Sequence, residues 1–63
     1  MVVRHDRPHE HEAHAHERSA DRYERHAVLL ERHGAQRCAN TERVHAAEER
    51  AAAQLARRHS ARA

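Results

Sequence analysis

The chain has no phenylalanine and no tryptophan, and a single glycine, proline, cysteine, methionine and tyrosine among 63 residues. Lysine is missing too: all twelve cations counted at pH 7 are arginines. Each shortage excludes something. The large apolar side chains are Met1, Val2, Val3, Tyr23, Val28, Leu29, Leu30, Val44 and Leu55, which is little from which to build a core. Fully burying one of them is worth about 1.5–3 kcal/mol, whereas ordering each residue costs about 1.5 kcal/mol. A chain of this length forms one domain at most. With so thin a core, stability is expected to come from helix propensity, a partner or self-association.

Cys38 alone excludes an internal disulfide and any cysteine-pair zinc site. No stretch approaches the roughly 18 apolar residues of a membrane span. Val2 and Val3 are too short a run for the apolar core of a signal peptide. A cytoplasmic protein that does not meet the membrane is therefore expected. Ser19, Cys38, Thr41 and Ser60 belong to no motif that ties a nucleophile to a base, so no catalytic residue is assigned and an enzyme is not expected.

What the chain does contain is helix-forming sequence on both sides of one breaker. Gly34 is the only glycine, and a glycine just past a helix end supplies the left-handed conformation of the C′ position. Arg32 and His33 precede it, where cations suit the helix dipole. Pro8 is well placed in a first turn, with Asp6 as a nearby cap. The expected architecture is an all-α antiparallel hairpin, with helices at about 8–33 and 36–59 turning at Gly34. Residues 1–7 are expected as a flexible arm and 60–63 as a basic tail. Asn40 and Thr41 are good cap types, but a start near Gln36 after a short turn is preferred to a loop reaching Asn40.

A 4-3 spacing runs through His9, Ala13, His16, Ala20, Tyr23, Ala27, Leu30 and Gly34, the rhythm of a packed helix seam. In the second helix Val44, Ala47, Ala51 and Leu55 share a face. Folding at Gly34 is expected to set Ala27 against Val44, Tyr23 against Ala47, Ala20 against Ala51 and His16 against Leu55. The interaction seam is accordingly assigned to Ala20, Tyr23, Ala27, Leu30, Val44, Ala47, Ala51 and Leu55.

The stretch AHERSADRYERHAVLLERHGAQRCANTERVHAAEERAAAQLA, residues 15–56, resembles small, uncharacterised Arg/Ala/His-rich helical hairpin proteins of high-GC bacteria. The likeness rests on the repeated HER/YER rhythm, the LLERHG helix stop and the Ala- and Glu-rich second helix. It implies a hairpin fold and no particular activity.

Charge and histidine supply the remaining signals. The formal net charge is +2, with nine histidines in addition. Arg57, Arg58, His59 and Arg62 could meet phosphates, but stacking aromatics are missing and the first helix is acidic, so nucleic acid is not expected. His5, His9, His11, His14 and His16 lie among Glu10, Glu12 and Glu17, several at i,i+3 or i,i+4 spacing. Such spacing can place two ligands on a zinc or nickel ion, although no HExxH is present. Two functions follow. The leading one is a non-catalytic helical protein that self-associates, a dimer then forming a four-helix bundle, or docks on a partner helix, with no cofactor. The alternative is weak divalent-metal binding through the histidine-rich segment.

Overall fold

The computed structural model describes residues 8–62 and has two helices among them, α1 (Pro8–Arg32) and α2 (Gln36–Arg62). The chain is an all-α helical hairpin. The expected arm, its Asp6 cap and the terminal Ala63 lie outside the described residues. α2 continues past the expected end at His59, so Ser60, Ala61 and Arg62 are helical rather than tail. Alanine, glutamate and arginine are strong helix formers, and nothing between Gln36 and Arg62 interrupts them.

The turn is built by Gly34, whose φ is +79°. The Ala35 amide donates to the Leu30 carbonyl at 2.8 Å and the Gly34 amide to the Glu31 carbonyl at 2.9 Å. These two bonds are the 6→1 and 5→2 pair of a Schellman ending. The Ala35 carbonyl then accepts from the Ala39 amide at 2.9 Å, which starts α2. Asn40 and Thr41 lie inside the helix and do not cap it. Thr41 donates back to the Arg37 carbonyl at 3.1 Å, and Asn40 accepts from Gln36 at 2.9 Å.

Among the described residues the core consists of alanine. Ala13, Ala20 and Ala27 of α1 pack with Ala39, Ala46, Ala53 and Ala56 of α2, each no more than 5% exposed. On each helix three of these recur at every seventh residue. An alanine carries only a methyl group, so burying it gains about 0.8 kcal/mol. It also lets two helix backbones approach closely, since helix separation follows side-chain size at the contact.

This corrects the expected seam of the second helix. In α1, Ala20 and Ala27 are buried, while Tyr23 and Leu30 are half-buried. In α2, Val44 is 56% and Leu55 50% exposed, and Ala47 and Ala51 are also exposed. None of the four is buried in the seam. The inward row is Ala39–Ala46–Ala53, roughly 160° around the helix from the Val44–Ala51 row by the helical repeat. Turning the alanines inward permits close approach and brings charged rows on the two helices within reach of one another.

Candidate functional site

With the alanine rows facing each other, the flanking rows form two edges of different chemistry. Both come from one dipeptide. Glu-Arg recurs at seven-residue intervals in α1 as Glu17-Arg18, Glu24-Arg25 and Glu31-Arg32, and in α2 as Glu42-Arg43 and Glu49-Arg50. In α1 the glutamate of each pair reaches the edge and the arginine points outward. In α2 the dipeptide starts one place nearer its preceding alanine, so its arginine reaches the edge and its glutamate lies near the seam.

The first edge is a ladder of glutamate from α1 and arginine from α2. Arg43 meets Glu31 with two bonds of 2.7 and 2.8 Å. Arg50 donates to Glu24 at 2.8 Å and lies 3.9 Å from Asp21. Arg57 donates to Glu17. A step of seven up one helix is matched by a step of seven down the other, as antiparallel packing requires. The Arg57 bond holds the Glu17 carboxyl below the usual carboxylate range. Arg43, and then Gln36, do the same for Glu31, and Glu31 in turn raises Arg43.

The second edge is built from histidine. His16 Nδ1 lies 2.6 Å from Glu49 and His26 Nδ1 3.1 Å from Glu42, each across the helix interface. The Tyr23 and His45 rings sit 5.1 Å apart between centroids, and those of His9 and His59 5.4 Å apart. His9 also meets Glu12 at 2.9 Å, a bond that lowers the Glu12 carboxyl from its ordinary value. His16 was expected against Leu55; it pairs with Glu49 and lines a shallow cleft together with Leu55. The other oxygen of Glu42, Oε1, is buried with no hydrogen-bond partner among the described residues. Glu42 lines a shallow cleft with Ser19, Arg22, Tyr23 and His26.

The outer faces also differ. α2 turns Val44, Ala47, Ala51 and Leu55 outward. α1 turns out Arg18, Arg25 and Arg32, with Val28 and Leu29 at 40% and 51% exposure. The seam assignment thus joins residues that the fold separates: its α1 members line the interior, and its α2 members form an open stripe.

For the histidine-rich segment, no group of three or more His, Cys, Asp or Glu among the described residues is placed to hold a metal ion. Cys38 is a free, exposed thiol. No helix among the described residues is long and apolar enough to cross a membrane. Compared with protein families, curated proteins and solved structures, the chain matches no family model, no curated protein and no solved structure.

Proposed function

We propose that the chain is a small, non-catalytic helical interaction protein that self-associates through the outer stripe of α2. The observation that carries this reading is the inverted placement of apolar side chains. The buried positions among the described residues are all alanine, whereas Val28, Leu29, Val44 and Leu55 are 40–56% exposed. Large aliphatics left outside a hairpin with so small a core are material for a second interface.

The α2 stripe suits a second copy. Its larger residues, Val44 and Leu55, stand at its two ends, with Ala47 and Ala51 between them. Reversed, the sequence of sizes is the same, so two stripes laid antiparallel about a two-fold axis are self-complementary. Val44 then meets Leu55 of the second copy and the alanines meet in the middle, giving a four-helix assembly. Its setting is read as the cytoplasm, in keeping with an unpaired exposed thiol.

Sedimentation equilibrium tests the reading. The parent should associate as its concentration rises, and Val44→Asp/Leu55→Asp should remain monomeric with its helicity intact. A parent that stays monomeric from micromolar to millimolar concentration overturns it.

A further inference from the structure

The charges of the hairpin are sorted in a way that the net charge conceals. Every acidic side chain among the described residues is engaged: Glu17, Asp21, Glu24 and Glu31 by arginines, Glu12, Glu42, Glu48 and Glu49 by histidines, and Glu10 by a further interaction. The arginines are not. Arg43, Arg50 and Arg57 hold the edge ladder. Arg18, Arg25 and Arg32 are exposed and have neither ion pair nor hydrogen bond among the described residues.

These three form one row along the outer face of α1, seven residues or about 10.5 Å apart along the axis. Asp21, at the margin of that face, is directed to Arg50. Beside the row, Arg25, Val28, Leu29 and Arg32 line a shallow concavity with an apolar floor.

The molecule contains a template for what fits such a row. On its own edge, arginines at seven-residue steps on one helix meet glutamates at seven-residue steps on the other. The outer row repeats the arginine half of that pattern without its acidic half. A second copy cannot supply the acids, because its own are engaged, and two such rows facing each other would repel. We propose that the outer face of α1 docks an acidic amphipathic helix of another protein, one with a carboxylate at every seventh position and an apolar side chain to seat on Val28 and Leu29. Arginine's planar fork suits paired contact with carboxylates. The repeat also matches another helix's pitch, which a phosphate backbone does not share. This rests on the reading of the chain as an interaction protein, but it uses a different face from the α2 stripe.

The test uses the whole chain and a synthetic helix-stabilised peptide with glutamate at every seventh position beside leucines. Binding is followed by fluorescence anisotropy at low and high salt. The acidic peptide should bind, and the same peptide with glutamine for glutamate should not. Arg18→Gln/Arg25→Gln/Arg32→Gln should weaken binding by about tenfold or more, the sum of three modest exposed pairs. Its helicity should match the parent's, because these side chains hold nothing within the chain; Arg25→Gln alone provides the milder variant. Val44→Asp/Leu55→Asp should bind the peptide like the parent, which separates this face from the self-association stripe. Equal binding of the two peptides, or of the parent and the triple variant, overturns the proposal. So does a duplex DNA fragment that binds through these arginines more tightly than the acidic peptide.

Discussion

Along one edge of the hairpin, Glu17, Glu24 and Glu31 meet Arg57, Arg50 and Arg43; along the other, His16 meets Glu49 and His26 meets Glu42. Both edges join the same two helices across the same alanine seam. They differ in the chemistry of their contacts. Guanidinium is a planar fork that can meet a carboxylate with paired bonds, as Arg43 meets Glu31. Imidazole offers one ring nitrogen to each carboxylate and a ring face for aromatic contact, as His45 offers Tyr23. One fold thus has a forked ionic clasp on one side and a mixed ring-and-carboxylate clasp on the other.

The seam common to both edges offers the largest effect. Ala46→Leu places a larger side chain between helices held apart only by methyl groups. It should cost about 1–3 kcal/mol in urea unfolding, the range for overpacking, and weaken both edges together. A variant as stable as the parent would show that the helices do not pack through this row.

Register comes next, because Gly34 aligns both edges at once. A Cβ added there meets nothing within 4 Å, so the penalty lies in the backbone, at φ +79°. Gly34→Ala should cost about 1 kcal/mol in the same unfolding experiment. An unchanged midpoint would show that the left-handed turn is not required.

Breaking one edge alone sharpens the contrast. Arg50→Glu sets a third carboxylate against Glu24 and Asp21 and should lower the melting temperature by roughly 5 °C. Glu24→Arg combined with Arg50→Glu should recover much of that loss. Failure of the double variant to recover would mean that the two residues do not meet.

The smallest effect comes with acid. Glu17 and Glu31 have folded values below the ordinary 4.5. Carboxyls lowered in this way stabilise fully above 4.5 and lose that contribution as pH falls through the folded value. Glu12, lowered by His9, follows the same sign. Helicity should therefore fall in acid below about pH 4.5. A parent whose helicity is unchanged down to about pH 3 would mean that these carboxyls do not meet their partners.

The α1 seam was legible because Val28 and Leu29, the large aliphatics of α1 that lie off it, both sit at one end of the helix. His16, Ala20, Tyr23 and Ala27 leave one choice of inward face, and Ala20 and Ala27 are indeed fully buried. α2 was not legible in the same way. Alanines at 46, 47, 51, 52, 53 and 56 occupy several rows of that helix, so helical periodicity does not choose among them. Val44 and Leu55 drew the assignment because large aliphatics usually turn inward. A signal did exist in the charges: glutamates at 17, 24 and 31 and arginines at 43, 50 and 57 share one spacing, and pairing them forces Ala39, Ala46 and Ala53 inward.

By itself the sequence determined the two helices and the turn, since helix formers flank a lone glycine and such preferences act within a few residues along the chain. It also determined which types of side chain were available for contact. Only the tertiary structure decided which alanine row turns inward, which arginines are neutralised and which are left outside. Those outcomes depend on the rotation of one helix against the other. That rotation follows from the close approach of two alanine rows and the simultaneous closure of two edges, which no local stretch of the chain contains.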